Sequence, residues 1–225
     1  QAHLMDNLTE ERIFEELCKL LPLVSAEDLC RFAPILGAVI PELQPMIGFD
    51  QHSPHHAYDL FTHTAHVTAG VPADLTLRWA ALLHDTGKIA TFTQDENGRG
   101  HFYGHAQKSA EIADNVLRRL KAPTALREQA VLLIDQHMTL LTPDKKLLRR
   151  RISRLGWDTL DALLTLQEAD MGGKGAGEVE KLDVFPKIRA ALEEIRAENA
   201  CLTVKGLAVN GNDLLALGYQ GKAVG

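Results

Sequence analysis

The segment LRWAALLHDTGK, Leu77 to Lys88, is apolar for almost two helical turns and then ends on two adjacent ionisable residues, His84 and Asp85. A helix this apolar is buried on most of its circumference. Burying an unpaired imidazole and carboxylate at its end is costly. Whatever the chain folds into must bring compensating charge to that point, and a divalent cation does so. Imidazole with carboxylate suits Mn, Fe, Co, Ni, Zn or Mg, and the lack of thiolate argues against a purely structural zinc site.

Further candidate ligands follow at intervals of about 20 to 33 residues, each on or at the start of a helical stretch: His63 in YDLFTHTAHV, His105 in HFYGHAQKSAE, His137 in LLIDQHM and Asp170 in LQEADMGG. Such gaps let separate helices converge on one point, as in metal-binding helical bundles. Thr86-Gly87-Lys88 follows directly, small residues that allow a substrate to approach and a lysine that offers charge to a phosphate. His3, His52 and His55 read as ordinary histidines, and Asp135 as structural. His66 shares a face with His63 and is expected behind it. Asp59 has two readings, orienting His63 or starting its helix.

Helical periodicity covers nearly all of the chain. Thr9 opens a helix with apolar Ile13, Phe14, Leu17, Leu20 and Leu21, and Ser25 caps another through Leu29, Phe32 and Ile35. Helical runs follow at about 57–69, 73–86, 105–121, 123–139, 145–155, 157–171 and 184–199. The exception is Ile89 to Tyr103, where Asn97-Gly98 between short apolar flanks predicts a β-hairpin near 90–103. MGGKGAGE, from Met171, reads as a flexible loop before a C-terminal helix. The expected fold is an all-α helical bundle with flanking helices and one short hairpin. Its divisions are 1–50, 51–175 and 176–225.

Three cysteines against ten histidines exclude a disulfide scaffold and suggest a reducing, cytoplasmic compartment. No apolar stretch reaches membrane-spanning length, and no basic-then-apolar leader is read. The net charge of −6 offers no global attraction to nucleic acid. One local strip does: Lys145, Lys146, Arg149, Arg150, Arg151 and Arg154 crowd a single helix, either as a solvated face or as a phosphate-contacting surface.

His63, His84-Asp85 and Asp170 together resemble the H…HD…D pattern of HD-domain metal-dependent phosphohydrolases. PHHAYDLFTHTAHV, LRWAALLHDTGK, GRGHFYGHAQKSAEIADNVLRRLKAP and LAVNGNDLLALG resemble, more narrowly, the C-terminal half of bacterial CCA-adding tRNA nucleotidyltransferases, over about residues 10 to 220. One departure matters. That family's transfer chemistry needs an N-terminal Gly-Ser motif and a paired-aspartate D-x-D on a sheet, and no D-x-D occurs here. Nucleotidyl transfer is therefore not expected of this chain alone. Its start at Gln1 and end at Gly225 are expected of the excised HD and tail part of a longer enzyme, with Thr9 to Leu21 resembling the neck.

The resemblance implies a phosphatase or 2′,3′-cyclic phosphodiesterase site. His63, His84, Asp85 and Asp170 would hold one divalent ion. His105 and His137 would complete a second with Asp85 bridging, or bind phosphate directly. Lys88 and His101 would stabilise charge on the phosphoryl oxygens. Implied substrates are phosphate esters: cyclic phosphates, nucleotides or RNA 3′ ends. Two other readings stand beside this one. The chain is an RNA-binding module that grips tRNA through the basic strip, its HD site vestigial, or it is a free-standing nucleotide hydrolase related to guanosine-tetraphosphate hydrolases.

Overall fold

The computed structural model describes residues 9–53, 57–175 and 182–200. Among these residues, helices dominate: α1 (Glu10–Leu20), α2 (Ala26–Arg31), α3 (Ala33–Val39), α4 (Leu60–Gly70), α5 (Leu75–Leu83), α6 (Lys88–Thr91), α7 (His105–Arg119), α8 (Thr124–Gln136), α9 (Lys145–Leu155), α10 (Trp157–Gly172) and α11 (Val184–Ala200). A 3-10 turn spans Pro41–Met46. Strands β1 (Thr93–Gln94) and β2 (Gly100–His101) pair antiparallel in a hairpin, with Thr93 opposite His101. Gly98 takes φ 76° in its turn, a left-handed conformation that glycine adopts without steric cost. The all-α architecture with one short hairpin is the expected one. His3, His55 and NGNDLLALG lie outside the described residues.

The helix starts follow local chemistry. Thr9 accepts from the Arg12 amide at 3.4 Å. Ser25 and Asp28 form a reciprocal capping box. The Asp59 carboxylate accepts from the amides of Phe61 and Thr62 at 3.0 and 3.1 Å. Of its two readings, helix capping is the one the geometry supports.

Two expectations need correction. The helix from Ser25 does not run on through Ile35 but breaks at Phe32, because Pro34 falls in the next helix's first turn, where its ring lacks an N–H and clashes with a preceding turn. Phe32 and Ile35 consequently lie at the surface, 37% and 50% exposed, rather than on a buried stripe. The helix ending in His84-Asp85 closes at Leu83, so both ionisable residues sit in the following turn.

At the centre is α5, buried from Leu77 to Leu83 and packed against α4, α7, α8 and α10. Trp79 stacks on Phe14 at 5.5 Å and donates to Cys18 Sγ at 3.4 Å, which fastens α1 to the centre. The core is contiguous from Leu17 to Ile195. Helices α4, α5, α7, α8 and α10 therefore deliver their ends to one region, and the candidate ligands lie on those ends.

Candidate metal centre

All six predicted ligands converge. They form two groups that share one residue: His63, His84, Asp85 and Asp170, and Asp85, His105 and His137. His63 Nε2 lies 3.4 Å from Asp85 Oδ2 and 3.1 Å from Asp170 Oδ1. His84 Nε2 lies 3.1 Å and 3.7 Å from the same two atoms. The other oxygen, Asp85 Oδ1, faces His105 Nε2 at 3.4 Å and His137 Nε2 at 3.9 Å. The Asp85 carboxylate thus points one oxygen into each group.

Each imidazole is oriented by a backbone carbonyl at its far nitrogen. Nδ1 of His63 meets Gly173 O at 3.0 Å, His84 meets Ala81 O at 2.7 Å, His105 meets Phe102 O at 2.8 Å, and His137 meets Ile134 O at 2.6 Å. A carbonyl only accepts, so every Nδ1 carries the proton and every neutral ring presents a bare Nε2 to the interior. Carbonyl-held imidazoles of this kind are the usual form of a metal-ligating histidine. Gly173 permits the first contact: a Cβ there would lie 2.8 Å from Val67 Cγ2.

The donor set fits a cation. His84 Nε2 and Asp85 Oδ2 are buried and lack a partner in hydrogen-bonding geometry, although charged atoms lie within 3.1 Å. The short distances follow from donor atoms aimed at a common point. His105 Nε2 and His137 Nε2 stand 3.2 Å apart. Two lone pairs that close repel unless a positive charge lies between them.

The electrostatics agree. Burial opposes charge on His84, but the carboxylates of Asp85 and Asp170 outweigh it and push the imidazole up to about 10. His63 is raised by the same carboxylates against the same burial. Asp85 and Asp170 are held well below the carboxylate range, their burial outweighed by the histidines and by Lys88 and Lys174 respectively. Protons on His63 and His84 do here what a metal's charge does. Burial, with the charge on His84, presses His137 down to about 4, and burial lowers His105, so the second pair is neutral.

The centre opens into a cavity of about 270 Å³. Lys88, 6% exposed, lines it, with Nζ 2.8 Å from both Asp85 Oδ2 and Gln51 Oε1 and 5.2 Å from the Phe102 ring centre. His101 sits at the rim, Nε2 bound to Asp95 at 3.0 Å and its ring stacked on Tyr103. Two participants were not read from sequence. Gln51 sits in a loop with no pattern to mark it. Lys174, 3.2 Å from Asp170 Oδ2, was legible as the fourth residue after Asp170. His66 is exposed and stacks on Tyr58, so it does not support His63. Gly87 does not line the cavity: a Cβ there would lie 2.5 Å from both His105 O and Ser109 N, so its smallness lets α7 approach rather than a substrate.

The basic helix α9 is divided. Lys145 and Arg149 pair with Glu198 of α11, and Lys145 also with Glu194. Lys146, Arg150, Arg151 and Arg154 make no ion pair among the described residues, and the three arginines line a pocket of about 200 Å³ with Leu147. No described helix is long and apolar enough to cross a membrane.

Residues 55–169 match the family described as HD domain. The A-adding tRNA nucleotidyltransferase of Deinococcus radiodurans is 37% identical over 71% of this chain and 39% of its own length. The CC-adding tRNA nucleotidyltransferase of Thermus thermophilus is 34% identical over 86% of the chain and 46% of its own length. A multifunctional CCA protein of Halorhodospira halophila is 32% identical over 87% of the chain and 50% of its own length. The chain spans half or less of these relatives, and its resemblance to CCA-adding enzymes is supported. Five of the six candidate ligands fall inside the matched span, and Asp170 is the residue just after it.

Proposed function

The chain belongs to the HD-domain family, and from that premise we propose that its His/Asp centre hydrolyses phosphate esters with the help of one or two divalent ions. The supporting observation is the Asp85 carboxylate, which turns one oxygen to each histidine group. His63, His84, Asp85 and Asp170 would hold one ion, and Asp85, His105 and His137 a second, drawn from Mn, Fe, Co, Ni, Zn or Mg. A bound ion supplies Lewis acidity to phosphoryl oxygens and acidifies water. Lys88, fixed by Gln51 and lying over Phe102, offers its ammonium to the phosphoryl group. His101, tethered by Asp95 at the rim, adds a second donor. Hydrolysis moves the phosphoryl group from the ester oxygen to water, and the leaving oxygen takes a proton.

The test is phosphate release from nucleoside monophosphates and 2′,3′-cyclic nucleotides, with each metal in turn, by the wild type and Asp85→Ala. Metal-dependent turnover that falls at least ~100-fold in the variant, together with loss of bound metal, is expected. Undiminished turnover in Asp85→Ala, or no metal in the wild type by elemental analysis, overturns the proposal.

A second reading has its own observation, the three unpaired arginines of α9. We propose that they contact RNA backbone, with tRNA, named in the relatives' descriptions, as partner. Residues 51–175 would be the HD domain, 1–50 the neck-like part and 176–225 the tail of a cytoplasmic tRNA-processing protein. Three phosphate contacts predict a log–log salt slope near −2 to −3. A flat response refutes it.

A further inference from the structure

A second depression lies beside the metal cavity, and the two share the walls His137, Met138, Asp170 and Lys174. It measures about 200 Å³. Its remaining lining is mostly hydrocarbon and thioether: Leu140, Leu141, Met171, Val184 and Phe185, with Thr139 and Gln167 as the polar exceptions. Phosphate hydrolysis has no use for an apolar wall. A ligand whose phosphate lies at the metal centre must extend its organic part somewhere, and this depression is adjacent.

We propose that this lobe receives the base of a nucleoside phosphate whose phosphate is bound at the metal centre. The inference rests on the phosphohydrolase reading for the phosphate end only. The lobe's chemistry distinguishes a base from an acyl chain. Met138, 60% exposed, and Leu140, 79% exposed, stand at the opening, where a soluble protein gains nothing by displaying them to water. Thioethers and aliphatic carbons pack well on flat heteroaromatic faces. Within the lobe, Gln167 spends its amide nitrogen on two backbone carbonyls, His137 O and Thr139 O, both at 2.7 Å. Those bonds fix the amide plane and leave Oε1 as an acceptor for an N–H on the edge of a ring. A lipid tail needs no such acceptor. The first bond also ends on the backbone of a candidate ligand, so the lobe and the metal centre are built on one segment, 137–141.

The test uses AMP and glycerol phosphate as phosphates with and without a base. Leu140→Asp and Met138→Ala are the variants, both at exposed positions that carry little folding energy. Equilibrium binding of AMP to the metal-free and metal-loaded protein is followed by calorimetry, alongside metal-dependent turnover of both esters. AMP is expected to bind more tightly than glycerol phosphate. Each variant should weaken AMP about tenfold more than glycerol phosphate, the size of one lost stacking contact. A short oligoribonucleotide carrying a terminal phosphate forms a second arm. Preference for it over AMP assigns the lobe to an RNA end, and equal binding assigns it to free nucleotides, and either supports a base site. Equal binding of AMP and glycerol phosphate, or equal losses on both in the variants, overturns the inference even if metal-dependent turnover stands. Lobe-dependent AMP binding with no turnover of any ester keeps the inference and sinks the phosphohydrolase reading.

Discussion

Gly87→Ala adds one methyl group and is expected to damage one of the two candidate ligand groups, that of Asp85, His105 and His137. The new Cβ would lie 2.5 Å from His105 O and Ser109 N and 2.9 Å from Lys108 Cβ, where ordinary contact begins at 3.4 Å. Two of those atoms are backbone, so no side chain can rotate away. The first turn of α7 must retreat by nearly an ångström, and the Gly87 amide loses its 2.8 Å bond to Ser109 Oγ. Overpacking of this kind costs about 1–3 kcal/mol, equivalent to a fall of roughly 2–12 °C in Tm for a chain of this size. His105 begins α7, so it moves with that turn, away from His137 and Asp85 Oδ1. His63, His84 and Asp170 are on other elements and stay. On the two-ion form of the proposal, titration of the metal-free variant with Mn or Ni should show the weaker binding event lost and the tighter retained; on the one-ion form, the single event should persist. An ångström at a reacting centre costs on the order of 10²-fold in turnover. Ser109→Ala removes the hydrogen bond without the clash, leaving the buried Gly87 amide without its partner at about 1–3 kcal/mol, and should keep metal binding like wild type. If Gly87→Ala melts and binds metal like wild type, the packing argument is wrong.

Other expectations follow from charge and packing. In metal-free protein the raised pKa of His84 gives stability that is full below its unfolded value near 6.5 and is lost as pH rises through about 10. Asp85 and Asp170, held low, contribute above their unfolded values near 3.8 and lose this only as pH falls below that range. Melting after chelation should therefore decline from pH 7 to 10, whereas the metal-loaded protein should hold, and metal binding at pH 7 should release protons, seen as buffer-dependent heats; equal alkaline profiles would refute this. Glu42 takes both Arg119 nitrogens, at 2.6 and 2.8 Å, joining the 3-10 turn to α7. That pairing lowers its pKa, so Glu42→Gln should cost about 0.5–1 kcal/mol above pH 5 and less as pH falls through the carboxylate range, by denaturant melts. Trp79→Ala, at a fully buried site, should cost about 3–5 kcal/mol and expose Cys18 to thiol reagents; an unchanged thiol reaction rate would count against the α1–α5 packing.

The centre was legible because its residues break a pattern. An apolar helix that ends on His84-Asp85 demands a counter-charge, and His63, His105, His137 and Asp170 recur at intervals that separate helices supply. What sequence could not convey is orientation. That one Asp85 oxygen serves each histidine group depends on the turn after α5, and Gln51 reaches Lys88 from a loop without periodicity. The break at Phe32 was written in Pro34, yet apolar spacing through Ile35 suggested one continuous helix. The basic strip looked uniform because Glu194 and Glu198, which neutralise part of it, come from a helix far along the chain.

The placement of the histidines has a common physical logic. His84 and His137 are the residues that end α5 and α8, and each Nδ1 binds the carbonyl three residues back, Ala81 O and Ile134 O. Carbonyls in a last helical turn lack the regular partner four residues on, and Ile134 O takes the His137 amide at 3.3 Å in its place. A histidine at that position gives the carbonyl a side-chain donor with one nitrogen and turns the other to the ligand cluster. The helix C-terminus also favours positive charge nearby, whether a proton or a metal supplies it. Ligand geometry and helix termination are thus one interaction in this fold. Replacing His137 with Ala should therefore lower stability even without metal, because the Nδ1–H bond to Ile134 O is lost, at about 0.5–1.5 kcal/mol, while the backbone amide of residue 137 stays on that carbonyl. A metal-free His137→Ala protein that melts with the wild type would show that the ring is held for ligation alone.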